Sequence, residues 1–189
     1  INQTATLPIV MIKDPYHWTL SMCRHPYTAH TESRACPGLL RQTPRGETVV
    51  SKVNVNYLPK FTTHDSYIGL WNDYNKLYDE ATYPRLIVRY EDLLFHPDYV
   101  ISEVCKCAGG RVLAEDERRY ITDNAKAGQK IHEGASDLLS AVMRYGDEAK
   151  RVEGFTDEER SYAERALNKD LVDKFDYKVD SLVGKMAQK

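Results

Sequence analysis

The segment Pro8–Pro26 (PIVMIKDPYHWTLSMCRHP) constrains the fold more than any other part of the chain. It opens with an apolar run over Pro8–Ile12. This run is too short for a helix and rich in β-branched residues, which predicts a strand buried on both faces. Lys13 ends the run, Asp14 offers a side-chain acceptor for a helix N-terminus, and Pro15 suits the first helical position. The segment therefore predicts a strand, a basic residue, a tight turn and a helix in direct succession.

This succession is typical of an anion site. In an open α/β sheet, ligands lie beyond the carboxyl ends of the strands, where helix N-termini also direct their unpaired N–H groups. Helical spacing lets Ser21 face back toward Lys13. The two side chains are therefore candidate phosphate ligands. A solvated lysine at a strand end and a serine on a helix surface are the alternative that the residues leave open.

Two later segments extend the α/β pattern. Asp65–Asp79 carries aromatic residues at spacings of three and four, which predicts an amphipathic helix with a core-facing stripe. Leu86–Val88, which follows Pro84, predicts a second buried strand. The intervening helix makes a crossover, so the second strand is expected to run parallel to the first. The predicted fold class is α/β, a parallel sheet flanked by helices.

Pro8–Pro26 and Arg85–Pro97 (RLIVRYEDLLFHP) together resemble sulfotransferases that use 3′-phosphoadenosine 5′-phosphosulfate (PAPS). The basic residue at a strand end, the proline two residues later and the serine eight residues after the base resemble the 3′-phosphate-binding segment of that family. Arg85–Pro97 resembles the strand-plus-YEDL segment that follows it. The resemblance is closest to the divergent sulfotransferases of unicellular algae and related eukaryotes.

The resemblance implies a fold related to P-loop NTPases, with a helix-rich C-terminal part. It implies PAPS, or its product 3′-phosphoadenosine 5′-phosphate (PAP), as cofactor, held by Lys13, Ser21 and, in a basic glycine-containing loop, Lys126. The family usually has arginine where Lys13 stands. The family's glycine- and threonine-rich phosphosulfate loop and its usual catalytic His or Glu precede this segment. The sulfotransferase-like domain is therefore expected to be incomplete at its N-terminus, and the catalytic base stays unidentified.

Three functions follow as hypotheses. The first is an enzyme that transfers a sulfuryl group from PAPS to a hydroxyl or amine of a small-molecule or carbohydrate acceptor, and whose full active site needs residues beyond this chain. The second is a catalytically inactive sulfotransferase-derived scaffold or subunit of a larger assembly. The third, a kinase-like phosphate-binding protein, would need its own phosphate loop and a carboxylate pair for magnesium. PAPS chemistry needs no metal, and no metal-ligand spacing is evident.

Length and composition bound these hypotheses. The chain has 189 residues, 42% of them hydrophobic and 29% charged, which favours a single domain over 1–189. A net charge of −2 gives no global reason to expect nucleic-acid binding, and no apolar run approaches a transmembrane span. Arg24–Gly46 is rich in proline, glycine and polar residues, which predicts a loop. The whole of 24–63 is predicted to be a long loop with an extended insertion. A helical C-terminal part is predicted over 135–189, where Thr156 and Glu159 form a capping-box pattern.

Four cysteines leave the redox state open. Cys23 and Cys36 bracket a polar stretch, and a disulfide between them would fit a lumenal enzyme. Cys105 and Cys107 lie two residues apart on a predicted helix and point to different faces, which favours free buried thiols. The expected compartment is the Golgi or secretory lumen rather than the cytosol.

Overall fold

A computed structural model of the chain describes residues 6–120, 122–123 and 137–179. The described residues form a mixed α/β structure with eight α-helices and three small sheets. In chain order the elements are β1 (Ile9–Ile12), α1 (Pro15–Arg24), β2 (Ala29–Thr31), β3 (Leu40–Gln42), β4 (Thr48–Val50), β5 (Val53–Tyr57), β6 (Lys60–His64), α2 (Ser66–Asp79), β7 (Leu86–Arg89), α3 (Tyr90–Phe95), α4 (Pro97–Cys107), α5 (Leu138–Gly146), α6 (Glu148–Arg151), α7 (Asp157–Ala166) and α8 (Lys169–Lys174).

The described residues group into two compact units, each assembled from two separate stretches of chain. The described residues of the first unit lie within Ile1–Lys13 and Ala81–Glu148, and those of the second lie within Asp14–Glu80 and Ala149–Lys189. The single domain expected over 1–189 stays a prediction. Within the described part of 135–189 the regular elements are the helices α5 to α8. None of the described helices is long and apolar enough to cross a membrane.

The first unit is built on the parallel pair β1 and β7. Ile9 pairs with Leu86 and Ile12 with Arg89, so the two strands run side by side over four residues and end together. The predicted parallel pairing is confirmed. The expected burial of β1 on both faces is wrong, because Val10 and Ile12 are buried while Ile9 and Met11 are 52% and 44% exposed. An apolar run predicts a strand, but only the elements that pack on the sheet decide whether its second face is covered.

Small antiparallel sheets of the second unit occupy much of 24–63. One sheet has the strand order β2-β5-β6, and β3 pairs with β4 in a separate hairpin. The loop prediction for Arg24–Gly46 therefore needs correction, since β2 and β3 lie within it. Within 49–57, the segment Val53–Tyr57 forms β5, the central strand of the three-stranded sheet. Strands of three residues show little periodicity of their own, and their pairing depends on partners elsewhere in the chain.

Helices α1 and α2 supply much of the core of the second unit. Tyr16 in α1 and Tyr67, Ile68 and Trp71 in α2 are fully buried. The predicted amphipathic helix over Asp65–Asp79 is confirmed as α2, which begins one residue later. Its aromatic stripe is a core face at its N-terminal end and becomes solvent-exposed toward its C-terminal end.

A buried carboxylate joins α7 to the segment that enters β3. Glu159 completes the predicted capping box, because its side chain accepts from the Thr156 N–H at 3.1 Å while Thr156 Oγ1 accepts from the Glu159 N–H at 3.1 Å. The same carboxylate accepts from the backbone N–H of Leu39 at 2.8 Å. Glu159 is 6% exposed, so these bonds satisfy backbone donors in a protected place.

The cysteines divide into one bonded pair and two thiols. Cys23 and Cys36 form a disulfide, with their Cα atoms 5.4 Å apart. Cys105 and Cys107 are free, as predicted. Their expected burial is wrong, since Cys105 is half-buried and Cys107 is exposed on the solvent side of α4. A helical periodicity over about three turns does not by itself decide how deeply each thiol is covered.

Candidate functional site

Lys13 directly follows β1, and its ammonium lies over two tyrosine rings. Lys13 Nζ is 5.2 Å from the centroid of the Tyr90 ring and 4.8 Å from that of Tyr145. The two rings lie 5.0 Å apart, centroid to centroid, and are tilted by 55°. Tyr90 begins α3 at the carboxyl end of β7, and Tyr145 comes from the end of α5. Cation–π attraction therefore holds a half-buried ammonium at the carboxyl end of the parallel pair.

A second cation ends the neighbouring strand. Arg89 pairs in register with Ile12, the residue before Lys13. Arg89 Nε lies 3.7 Å from Asp92 Oδ2 in the first turn of α3, and its side chain is 26% exposed. Two basic residues thus mark the edge of the sheet where α/β proteins bind anions. Arg89 was not among the predicted ligands, although its place directly after the predicted strand Leu86–Val88 could have revealed it.

The acidic residues beside these cations shape the local electrostatics. Burial raises the pKa of the Tyr90 phenol, and the negative charge of Glu91 raises it further. The Tyr90 hydroxyl therefore stays neutral near pH 7 and keeps a proton to donate. The Asp92 carboxylate would repel a phosphate if it stood alone, but its pairing with Arg89 offsets that charge.

Ser21 lies in the second unit, whereas Lys13 lies in the first, and each is described within its own unit. The half-buried Ser21 Oγ donates to the His17 carbonyl oxygen at 3.1 Å, one turn back in α1. A phosphate only accepts hydrogen bonds near pH 7, so Ser21 could bind one only by turning its proton away from His17.

The N-terminus of α1 already holds a carboxylate of the chain itself. Asp14 Oδ1 accepts from the backbone N–H groups of Tyr16 and His17, each at 3.0 Å. Asp14 Oδ2 accepts from Arg151 Nε at 2.7 Å. Arg151 also lies over the Tyr16 ring at 4.5 Å and donates to the Lys178 carbonyl oxygen. The helix N-terminus that the sequence predicts as an anion site is therefore occupied by the Asp14 carboxylate.

The candidate phosphate ligands fall into two groups, one in each unit. In the first unit, Lys13 and Arg89 supply cations at the carboxyl end of the parallel pair. In the second unit, the Ser21 hydroxyl donates to the His17 carbonyl oxygen and Asp14 caps the N-terminus of α1. Lys126, the third predicted ligand, lies outside the described residues. Among the residues that the structure describes, no group of His, Cys, Asp and Glu side chains is arranged to hold a metal ion.

Comparison with known proteins finds no counterpart: no family model, curated protein or solved structure matches this chain.

Proposed function

We propose that this chain is part of a PAPS-dependent sulfotransferase, with a fold related to P-loop NTPases, that transfers a sulfuryl group to a hydroxyl or amine acceptor. The observation that supports the proposal is the position of Lys13. It stands at the carboxyl end of a strand in a parallel pair, beside Arg89 on the neighbouring strand, and the helix α1 follows at once. Strand, base and helix thus occur in the order that the resemblance implies.

Each residue of the edge has a distinct part in this proposal. The Lys13 ammonium would donate charge-assisted hydrogen bonds to the 3′-phosphate, moving off the tyrosine rings by rotation of its flexible stem. Arg89 would add positive charge, and the neutral Tyr90 hydroxyl a further donor. PAPS, when bound, supplies the activated sulfuryl group. Because lysine acts as a point charge where arginine grips two oxygens, PAP is expected to bind less tightly here than at an arginine-containing site.

The disulfide between Cys23 and Cys36 favours an oxidising compartment for this function. Disulfides persist in oxidising surroundings and are rare in the cytosol. We therefore favour the Golgi or another part of the secretory lumen, where a small-molecule or carbohydrate acceptor would meet the enzyme.

Calorimetric titration of PAP into the full natural chain tests the proposal. We expect binding that exceeds that of adenosine 5′-phosphate, because only PAP carries the 3′-phosphate. Lys13→Ala should weaken PAP binding by roughly tenfold to a hundredfold, since a hydrogen bond to a charged group is worth about 1.5–3 kcal/mol. Lys52→Ala, at an exposed lysine of the second unit, is the matched control and should bind PAP as the wild type does.

A conservative variant separates the sulfotransferase from the scaffold. Lys13→Arg should retain or strengthen PAP binding if Lys13 contacts the phosphate. If wild type, Lys13→Ala and Lys13→Arg are folded and bind PAP and adenosine 5′-phosphate equally, Lys13 is not a 3′-phosphate ligand. Absence of any PAP binding would favour the catalytically inactive scaffold, in which Lys13 serves only to hold Tyr90 and Tyr145 together.

A further inference from the structure

A threonine, a histidine and an aspartate form a hydrogen-bonded row between β6 and α2 in the second unit. His64 Nε2 lies 2.9 Å from Thr62 Oγ1, and His64 Nδ1 lies 2.6 Å from Asp73 Oδ2. Thr62 and His64 are two residues apart on β6, so their side chains project from the same face of the strand. Asp73 comes from the middle of α2. The proposed sulfotransferase function uses none of the three.

The chemistry of the three groups sets the direction of both hydrogen bonds when the imidazole is neutral. The ionised Asp73 carboxylate can only accept, so His64 Nδ1 carries the proton that it shares with Asp73. In the neutral imidazole Nε2 is then the acceptor, and the Thr62 hydroxyl donates to it. A hydroxyl that donates to an imidazole oriented by a carboxylate is the arrangement by which a histidine activates an oxygen nucleophile.

Access differs along the row in the way such a site requires. Thr62 is exposed, so a reagent in solution can reach its oxygen. The His64 side chain is only 12% exposed, and contacts on both nitrogens fix the orientation of its ring. Asp73 contacts the other ring nitrogen of His64, and its side chain is 60% exposed. The nucleophile is therefore open while the base is held in place.

The backbone beside Thr62 offers a further donor. The Asn56 N–H donates to the Thr28 carbonyl oxygen at 3.2 Å, on the β2 side of β5. Because Asn56 directs its backbone groups toward β2, its β6 partner Phe61 directs its own groups away from β5, to the outer edge of the sheet. Backbone direction repeats every second residue along a strand, so Thr63 also faces this outer edge. In the part of the chain that the structure describes, no strand pairs with that edge. The N–H of Thr63, the residue after the nucleophile, can therefore donate to an oxyanion.

We infer that Thr62, His64 and Asp73 form a nucleophilic site that accepts an acyl group from an activated ester. A bond forms between Thr62 Oγ1 and the ester carbonyl carbon, and the bond from that carbon to the leaving oxygen breaks. The proton of Thr62 passes to His64 Nε2 and then to the leaving oxygen. The products are an acyl-threonine and a free alcohol or phenol, so atoms and electrons balance with no oxidant or other reactant. Asp73 is a positioning residue, which holds the imidazole in the tautomer that accepts the proton.

The test uses p-nitrophenyl acetate and the full chain near neutral pH. Release of p-nitrophenol is followed by absorbance, and the acetylated residue is located by mass spectrometry of peptides. We expect a burst of one equivalent of p-nitrophenol and one acetyl group on Thr62. Thr62→Val should abolish this acetylation, and His64→Gln should slow it by roughly a hundredfold, the effect typical of losing a general base. Asp73→Asn should slow it at least tenfold, and Asp73→Glu should restore part of the rate.

Residues of the same types elsewhere in the second unit provide the controls. Thr48→Val removes an exposed hydroxyl of β4, which accepts from Gln42 Nε2 at 2.8 Å. His30→Gln removes an exposed histidine of β2. Both variants should acetylate at the wild-type rate, and circular dichroism should show that every variant is folded. The inference is overturned if acetylation is confined to lysines, if the burst persists in Thr62→Val, or if folded His64→Gln reacts as fast as wild type.

Discussion

Replacing Asp14 by asparagine tests the local structure at the start of α1. Asparagine keeps an oxygen that can cap the Tyr16 and His17 N–H groups, and it is as good a capping residue as aspartate. It removes the negative charge that faces Arg151 Nε at 2.7 Å. Asp14→Asn therefore isolates the ion pair from the cap.

The structure sets the size of the expected effect. The Asp14 and Arg151 side chains are 7% and 16% exposed, so the pair is largely shielded from water. Removing one partner of a buried pair costs about 3–5 kcal/mol. Because Arg151 keeps some exposure, we expect Asp14→Asn to cost about 3 kcal/mol. Asp14→Ala also loses the cap, worth about 1 kcal/mol, and should cost about 4 kcal/mol.

Urea unfolding followed by tryptophan fluorescence provides the assay. Both tryptophans of the chain, Trp18 and Trp71, lie in the same unit as Asp14 and Arg151, so the signal reports that unit. For a slope of about 2 kcal/mol per molar urea, Asp14→Asn should lower the midpoint by about 1.5 M. Arg151→Met combined with Asp14→Asn removes both charges, so the double variant should lose about 2 kcal/mol less than the sum of the single losses. A loss below about 0.5 kcal/mol for Asp14→Asn, or strict additivity, would refute this account of the pair.

Three further predictions concern the second unit. Glu159→Ala leaves buried backbone donors without an acceptor and should lower the free energy of unfolding in urea by about 3 kcal/mol. Glu159→Gln keeps an acceptor and should lower it by about 1 kcal/mol, and equal losses in the two variants would contradict this explanation. Partial desolvation of the exposed Tyr74 side chain, and then its hydrogen bond to Tyr78, raise the pKa of Tyr74 from 10.0 to about 12. Its neutral form therefore contributes stability below pH 10 that is lost as the pH rises toward about 12. Ultraviolet titration should show a lower Tyr74 pKa in Tyr78→Phe, and an unchanged pKa would exclude the hydrogen bond as a cause. Replacing both Cys23 and Cys36 by serine opens a loop with a sequence separation of 13 and should lower the free energy of unfolding by about 3 kcal/mol. An unchanged urea midpoint would show that the disulfide does not constrain the unfolded chain.

Much of the local structure could be predicted from a few neighbouring residues. Asp14 and Pro15 predict the start of α1, and both take the expected capping and first-turn positions. The aromatic spacing in Asp65–Asp79 predicts α2, and the pattern of Thr156 and Glu159 predicts the start of α7. In each case the partners lie within a few residues of one another, so the chain specifies the contact without help from the rest of the fold.

The candidate site could be predicted only in its position. The place of Lys13 after β1 follows from the apolar run, but its two tyrosine partners do not. Tyr145 lies far along the chain from Lys13 and carries no local signal of the contact. Similarly, Thr62 and His64 look like ordinary residues of a strand until α2 brings Asp73 to the imidazole.

The sequence by itself therefore determined α1, α2, the start of α7 and the parallel pairing of β1 with β7. Tertiary structure decided which faces are covered, as the exposure of Ile9 and Met11 shows. It also decided how the charges are neutralised: Arg151 meets Asp14 across 137 residues of sequence. Capping and periodicity act between residues a few positions apart, whereas a pairing over such a separation depends on how every intervening element packs.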